Sequence, residues 1–414
     1  MKSSRYRVVG EGVDVAVLGV GAAGEVTARL VGNLDGIGAL RIADIRQSRL
    51  DHVASKMKRD VVVMRADIGR PEDLRKACKG SDVIVNATLP RYNLAVMREA
   101  IRIKAHYVDL ASEGSPDPNE PSQVLEQLAL DADFRAIHRA AIIGMGVAPG
   151  ITNALARRGI EEMDRIDAIR IRVYGSGYAE VEGHLFAPLF SPETFLEEVL
   201  WPAPIWKGDR IVKLPPFSGE EEFAFPDPLG VGICYNVNNE ETETMPRFLG
   251  TRIGFIDFKY AIAPRRKALL EHIYRLGLAR TDPIDVAGAR VRPLDVLLAL
   301  LPEAASLAGR VDGHTCVVVE TEGRAASKHV GRRLWTIMAH RDAYRKMGVH
   351  ATAFLTGAPP AAAVETLRRG EADVTGVTTA GGLAPKTLLK HAMGLGVPLF
   401  EGDLGALLGR PLAV

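Results

Sequence analysis

The sequence of 414 residues is poor in cysteine, and its three cysteines, Cys78, Cys234 and Cys316, lie far apart. An odd and widely spaced set matches neither a disulfide framework nor the paired spacing of zinc ligands. We therefore expect free thiols in a reducing cytoplasm. No His, Cys or carboxylate cluster has the spacing of metal ligands, so the sequence predicts no bound metal.

Long hydrophobic runs and an excess of one charge are missing as well. No stretch approaches the ~18 apolar residues of a membrane helix, and the N-terminal MKSSRYRVVGEG lacks the apolar region of a signal peptide. With 52 Lys and Arg against 51 Asp and Glu, the chain has no basic surplus for binding nucleic acid. These absences favour a cytoplasmic protein that acts on a small molecule rather than on a membrane or nucleic acid.

The first 150 residues alternate strand and helix signals. Apolar, β-branched segments predict six strands, at 13–18, 40–45, 61–64, 82–86, 106–110 and 141–145. Helical patterns lie between them, at 25–34, 50–58, 71–78, 93–103 and 131–140. This alternation implies βαβ units and a parallel sheet. Six such strands make a complete doubly wound α/β domain of the Rossmann type, which we assign to residues 1–150.

The pattern changes after Gly150. Apolar and charged side chains then alternate, as in strands with one wet face, at 166–174, 210–213, 222–225, 252–260 and 315–321. Helical stretches at 192–200 and 265–276 lie between these strands, so residues 151–341 predict an α+β substrate-binding domain. Residues 342–369 are helical in pattern again, with a break predicted at the Gly-Ala-Pro-Pro of 357–360.

A dinucleotide-binding motif follows the first strand. Gly19-Val20-Gly21-Ala22-Ala23-Gly24 matches G-x-G-x-x-G and opens a helix, and Asp44 ends the next strand 20 positions past Gly24. Gly19 allows the tight turn, Gly21 lets the backbone approach the pyrophosphate, and Gly24 lets helix and strand pack closely. The helix start, with Ala22 and Ala23, offers free N–H groups to the phosphates.

Asp44 decides the predicted cofactor. A carboxylate here accepts hydrogen bonds from the ribose hydroxyls of the adenosine and repels the 2′-phosphate of NADP, which favours NAD. Arg46 could pair with that phosphate, so NADP stays possible. Further residues expected at the cofactor follow later strands: Asp67, which could equally be a turn carboxylate, Ala87, Thr88, Leu89 and Ser112.

Together these features resemble the saccharopine dehydrogenase family, in particular its lysine 6-dehydrogenase-like branch. Besides the Gly loop, the resemblance rests on His106-Tyr107-Val108-Asp109-Leu110, on Gly146-Val147-Ala148-Pro149-Gly150-Ile151-Thr152-Asn153, on Thr244-Met245-Pro246-Arg247-Phe248-Leu249 and on Thr356-Gly357. It implies that about residues 342–414 return to complete the Rossmann domain, that a late helix at 342–355 packs beside the Gly loop, and that the protein is a homodimer. One departure is Gly144, where the related lysine dehydrogenases carry an acidic residue. If that carboxylate binds the substrate amine, the substrate here differs from lysine.

The implied function is that of an NAD(P)-dependent oxidoreductase acting on the C–N bond of an amino acid or amine. The first hypothesis is an L-lysine 6-dehydrogenase-like amino-acid dehydrogenase. The alternatives are an imine reductase of the saccharopine- or carboxyspermidine-forming kind, and an enzyme like homospermidine synthase that recycles bound NAD. A nucleotide-sensing regulator without turnover is the non-enzymatic hypothesis.

Five residues are candidates for chemistry and substrate binding, each with an ordinary structural alternative. Glu113 follows the fifth strand, where it could accept the amine or its proton, or be a solvated turn residue. Asn153 starts a helix and could act on the substrate or only cap that helix. His184 is a candidate proton shuttle. Arg247 could clamp a substrate carboxylate or form a surface ion pair, and Tyr178 is a further candidate substrate contact.

Overall fold

The computed structural model describes the chain with few gaps. The described residues are 12–117, 119–120, 122–175, 177–250 and 252–414, without the side chains of Tyr178, Glu180 and Leu185. Within them the chain forms one parallel sheet of seven strands and one mixed sheet of ten, together with two short hairpins. None of the described helices has the length and hydropathy needed to cross a membrane.

The parallel sheet confirms the predicted Rossmann fold. Its strands are β1 Val13–Leu18, β2 Ile37–Asp44, β3 Val62–Arg65, β4 Val83–Asn86, β5 His106–Asp109, β6 Ala140–Ile142 and β19 Gly376–Thr378. The order β3-β2-β1-β4-β5-β6 is that of a doubly wound domain, and β19 from the C-terminal part pairs in parallel with β6. The helices around it are α1 Ala22–Val31, α2 Gln47–Lys56, α3 Pro71–Cys78, α4 Asn93–Ile103, α5 Gln123–Ala129, α6 Asp131–Ala136, α13 Ala351–Arg368 and α14 Pro385–Gly394. The predicted return of the chain to its first domain is therefore confirmed.

The mixed sheet forms the second domain. Its strands are β7 Arg165–Tyr174, β10 Ala203–Lys207, β11 Ile211–Leu214, β12 Glu221–Ala224, β13 Val231–Asn236, β14 Phe255–Ala261, β17 His314–Ala325, β18 Lys328–Ala339, β20 Leu399–Asp403 and β21 Arg410–Pro411. The hairpins are β8 Tyr178–Val181 with β9 His184–Pro188, and β15 Ile284–Val286 with β16 Ala289–Val291. The helices are α7 Ile151–Gly159, α8 Pro192–Leu200, α9 Glu241–Phe248, α10 Pro264–Arg275, α11 Pro293–Leu300 and α12 His340–Met347. Because β20 and β21 join this sheet, the C-terminal part of the chain is shared between the two domains.

The late helix differs from its prediction. The chain turns at Gly348, whose φ is +71°, and not at residues 357–360. Helix α13 starts behind His350, whose Nδ1 accepts a hydrogen bond from the N–H of Ala353 (3.2 Å), and it continues through Pro359 and Pro360. Prolines usually end a helix because they lack the N–H and clash with the preceding turn. Here α13 is buried over nearly its whole length, and packing outweighs that cost.

Helices α1 and α13 touch through Gly357. A Cβ at this position would lie 2.3 Å from the carbonyl oxygen of Ala23 and 2.7 Å from the Cβ of Val26. The hydroxyl of Thr27 donates to the carbonyl oxygen of Gly357 (2.8 Å). The returning helix thus fixes the helix that begins at the Gly loop.

We predict that Gly357→Ala lowers the free energy of unfolding by about 1–3 kcal/mol, because the added methyl group pushes two packed backbones apart. Gly394→Ala, at the end of α14, is the matched control, since a Cβ there meets nothing within 4 Å. It should be neutral or stabilising by up to about 1 kcal/mol. Urea unfolding measures both variants, and equal stability of the two would contradict the proposed close packing.

Candidate active site

A cleft of about 590 Å³ lies between the two domains. On one side it is lined by the loops at the carboxyl ends of β1, β2, β3, β4 and β5. On the other side it is lined by residues 190–194 and 301–305 of the second domain. Ligands of open α/β sheets bind at this edge, so the cleft is the expected place for a dinucleotide.

The three glycines of the loop have different surroundings. A Cβ on Gly19 would lie 2.7 Å from the carbonyl oxygen of Ala87, and one on Gly24 would lie 2.0 Å from that of Gly19. A Cβ on Gly21 would meet nothing within 4 Å, because this residue faces the open cleft at the start of α1. The residues therefore fit a dinucleotide: two glycines permit the tight turn and the packing, and the third leaves a cradle for the pyrophosphate.

Asp44 is buried at the end of β2. One carboxylate oxygen accepts from the N–H of Val20 (2.9 Å), and the other accepts from the N–H of Arg46 (2.9 Å). Each carboxylate oxygen has a second lone pair, which can accept a hydrogen bond from a ribose hydroxyl. The Nη1 of Arg46 lies 2.6 Å from Oε1 of Glu303, a residue of the second domain.

Most residues predicted for the cofactor lie together in the cleft. They are Gly19, Gly21, Ala22, Ala23, Gly24, Asp44, Arg46, Asp67, Ala87, Thr88 and Leu89. Asp67 is at the same time a turn carboxylate, since it accepts from the N–H of Gly69 (3.0 Å). Ser112 does not line this cleft; its N–H donates to Oε1 of Glu240 (2.7 Å) in the neighbouring cavity. The assignment of Ser112 to the cofactor is therefore not supported by its position.

Five carboxyl groups surround that neighbouring cavity of about 20 Å³. They belong to Glu113 after β5, to Glu197 and Glu198 on α8, and to Glu240 and Glu243 at the start of α9. We call this set the acidic pocket. Thr194 and Glu198 line both cavities, so the acidic pocket borders the cofactor cleft.

Burial and mutual repulsion make these acids weak. Burial raises the pKa of Glu197 to about 8, with a further contribution from Glu113. Burial likewise raises the pKa of Glu240 to about 8 and the pKa of Glu198 well above its ordinary value. The hydroxyl of Tyr260 donates to Oε2 of Glu198 (2.5 Å). Several of these groups therefore hold a proton at neutral pH, and a cation in the pocket would let them ionise.

Two arginines stand beside the acidic pocket. Arg91 binds Glu193 through both carboxylate oxygens, at 3.1 and 2.8 Å, and Nη2 of Arg292 lies 3.6 Å from the same carboxylate. The charge of Arg91 also opposes the rise in the pKa of Glu113. The charges of Arg91 and Arg292 also oppose the rise in the pKa of Glu197, so these guanidinium groups provide positive charge next to the acidic pocket.

Of the residues predicted for chemistry, only Glu113 lies at this site. Asn153 is buried at the start of α7, where its Oδ1 accepts from the N–H of Gly150 (2.9 Å) as a helix cap. His184 lies in β9 and lines neither cavity, and Tyr178 lies in β8 with its side chain outside the described part of the chain. Arg247 is exposed at the end of α9, where its charge acts on Asp131 and not on the cleft. The structure therefore does not bring Asn153, His184 or Arg247 to the site.

The glutamates of α8 and α9 were missed because charged residues usually face water. A usable signal was present, since the nine-residue helix α8 carries three glutamates, Glu193, Glu197 and Glu198, and no basic residue to pair with them. The departure at Gly144 also has a structural explanation. A Cβ on Gly144 would lie 3.8 Å from Oε1 of Glu240. A carboxylate therefore stands beside position 144, but it comes from α9.

We predict that Gly21→Val abolishes cofactor binding, with a loss of about 100-fold or more, because the side chain fills the cradle for the pyrophosphate. The protein should keep its melting temperature, since nothing surrounds the new Cβ. Gly24→Val is the contrasting variant and should lose stability as well. Titration of cofactor by calorimetry measures the affinity. Unchanged affinity in Gly21→Val would show that the pyrophosphate does not bind at this loop.

Comparisons with known proteins agree with this geometry. Residues 15–142 match the family model described as saccharopine dehydrogenase NADP binding domain, and residues 146–394 match the saccharopine dehydrogenase C-terminal domain. The chain is 28% identical over 324 residues to carboxynorspermidine synthase of Vibrio alginolyticus, covering 76% of each protein. It is 24% identical over 394 residues to carboxyaminopropylagmatine dehydrogenase of a Synechocystis species, covering 94% of this chain and 97% of the relative.

Two solved structures share the fold across the whole chain. Saccharopine dehydrogenase (L-Glu forming) of Saccharomyces cerevisiae has a TM-score of 0.66 at 15% identity and covers 95% of this chain and 100% of its own. Homospermidine synthase of Legionella pneumophila, in complex with NAD, has a TM-score of 0.68 at 13% identity and covers 96% and 92%. At these identities the structures support the fold alone. The family models match both domains, and we conclude that this chain belongs to the saccharopine dehydrogenase family and is an NAD(P)-dependent oxidoreductase.

Proposed function

We propose that this enzyme reduces the imine formed between an amine and a carbonyl compound, and that its amine substrate is a diamine or polyamine. The observation that carries the proposal is the acidic pocket beside the cofactor cleft. The names of the relatives, which refer to carboxylated polyamines, support the same conclusion. The imine-reductase alternative is thus preferred to the lysine 6-dehydrogenase hypothesis. The cytoplasmic location and the homodimer stay predictions.

The acidic pocket suits an ammonium group. An ammonium donates three hydrogen bonds, and the pocket offers carboxyl acceptors from three segments of the chain: the loop after β5, α8 and the start of α9. Asn239, which is 3% exposed, adds a side-chain amide that has no hydrogen-bond partner among the described residues. A buried cation is stable only where it is paired and hydrogen-bonded, and this pocket provides both. A diamine can place one nitrogen here while the other reacts in the cleft.

The arginines suit a carboxylate on the carbonyl partner. Arg91 and Arg292 both bind Glu193, which lines the cleft. A substrate carboxylate can take up the free donors of these guanidinium groups or replace Glu193 as their partner. The role predicted for Arg247 therefore passes to Arg91 in this proposal.

The chemistry needs one hydride and one proton at the carbon–nitrogen double bond. The amine attacks the carbonyl carbon, water leaves, and an imine forms. When bound, the nicotinamide cofactor supplies the hydride for the imine carbon. The proton for the nitrogen is held by Glu198, which lines the cleft, accepts from Tyr260 and has a raised pKa. We further propose NAD as the preferred cofactor, because Asp44 is positioned for ribose hydroxyls.

The test is a turnover screen with reduced cofactor. Putrescine, agmatine and spermidine are each paired with an aldehyde that carries an amino-acid carboxylate, and loss of nicotinamide absorbance is followed. Cofactor oxidation should require both the amine and the aldehyde. Reduction of NAD by L-lysine alone would support the dehydrogenase hypothesis instead, and turnover without net absorbance change would indicate cofactor recycling.

Two arginine variants complete this screen. Arg91→Ala should raise the KM of the aldehyde by about tenfold, less than the loss of a fully desolvated pair, because Arg91 is 39% exposed and solvent partly screens its charge. Arg247→Ala is the matched control and should stay within about threefold of the parent, since it is exposed outside the cleft. The reverse ranking of the two variants would contradict the proposed position of the carboxylate.

A further inference from the structure

We infer that Glu303 is a specificity residue of the cofactor site: its ion pair with Arg46 withholds this guanidinium from a ribose 2′-phosphate and favours NAD over NADP. The inference goes beyond the proposed reaction, because it concerns the cofactor alone. It rests on a contact between the two domains at the mouth of the cleft.

Arg46 stands between two carboxylates. Its Nη1 lies 2.6 Å from Oε1 of Glu303, and its Nε lies 3.7 Å from Oδ1 of Asp44. All three residues line the cofactor cleft. The side chain of Arg46 is 42% exposed and that of Glu303 is 58% exposed, so both can be reached by a ligand that enters the cleft.

Arg46 lies where Rossmann domains distinguish NAD from NADP, so its ion pair with Glu303 bears on cofactor choice. In Rossmann domains the acidic residue at the end of β2 binds the ribose hydroxyls, and an arginine close by accommodates a 2′-phosphate. Asp44 and Arg46 hold these two places here. A 2′-phosphate would have to displace Glu303 from Arg46 and would then lie close to two carboxylates, whereas a 2′-hydroxyl leaves the pair intact.

The nearby cation on α2 does not substitute for Arg46. Arg49 binds Oε2 of the buried Glu25 through Nη2 (2.8 Å) and the carbonyl oxygen of Val20 through Nε (3.1 Å). Arg46 is therefore the guanidinium that lines the cleft beside Asp44, and its availability is set by Glu303.

The segment that carries Glu303 connects cofactor choice to the second domain. Glu303 follows α11 and precedes the short 3-10 helix Ala304–Leu307, and Leu301, Pro302 and Ala305 around it also line the cleft. The ion pair is the charged contact that joins this segment to the loop after β2. A 2′-phosphate that took Arg46 would release this contact, so NADP binding is linked to the loss of a contact between the domains.

The experiment compares cofactor affinities without substrate, so that its outcome does not depend on the proposed reaction. The dissociation constants of NADH and NADPH are measured by fluorescence titration for the parent and for Glu303→Gln. The variant should bind NADPH about fivefold more tightly, the upper end of the scale for an exposed ion pair, while its affinity for NADH stays within about twofold. Adding Arg46→Met to Glu303→Gln should remove the gain.

Glu162→Gln is the matched control, because Glu162 is 66% exposed and pairs with Arg332, and neither residue lines the cleft. It should leave both affinities unchanged. Equal changes for NADH and NADPH in Glu303→Gln would overturn the inference, and so would weaker NADPH binding. Unchanged NADPH affinity would overturn it too.

Discussion

Five carboxyl groups share one small pocket, and the rest of the site is built around that constraint. Carboxylates that are crowded together and buried repel one another and lose their hydration. Without a cation, several of them must therefore keep their protons. Neighbouring hydroxyl groups supply some of the hydrogen bonds that these buried carboxyl groups require. The hydroxyl of Ser122 donates to Glu243, and that of Tyr260 donates to Glu198. A positively charged ligand offsets the remaining free-energy cost of holding ionised carboxylates close together, which makes the pocket selective for amines.

The five carboxyl groups come together at the boundary between the two domains because the fold takes them from different domains. Glu113 follows β5 of the Rossmann sheet, whereas α8 and the start of α9 belong to the mixed-sheet domain. The C-terminal part of the chain holds both domains, since α13 packs on α1 and β20 pairs with β18. The acidic pocket, the cofactor cleft and the contact of Arg46 with Glu303 therefore all depend on one arrangement of the two domains.

The sequence predicted those features that depend on local order along the chain. The Gly loop, Asp44 and the strands of the parallel sheet follow from period, turn chemistry and spacing within a few tens of residues. The acidic pocket depends on contacts between segments separated by up to about 130 residues, as from Ser112 to Glu240, and no local pattern encodes them. The position of Arg247 outside the cleft could not be predicted, because the sequence motif around it does not determine which face of α9 meets the cleft. The break predicted at Pro359 and Pro360 was wrong because burial of α13 outweighs proline propensity.

The most direct test of the acidic pocket is the proton balance of diamine binding, measured by calorimetry at pH 7 in buffers of different ionisation enthalpy. Groups with a pKa of about 8, such as Glu197 and Glu240, are mostly protonated at pH 7, and a bound dication lowers their pKa. Putrescine binding to the cofactor-loaded enzyme should therefore release protons, and Glu240→Gln should release fewer. Putrescine binding with no proton release, or with the same release in Glu240→Gln, would contradict a cation held by these carboxyl groups.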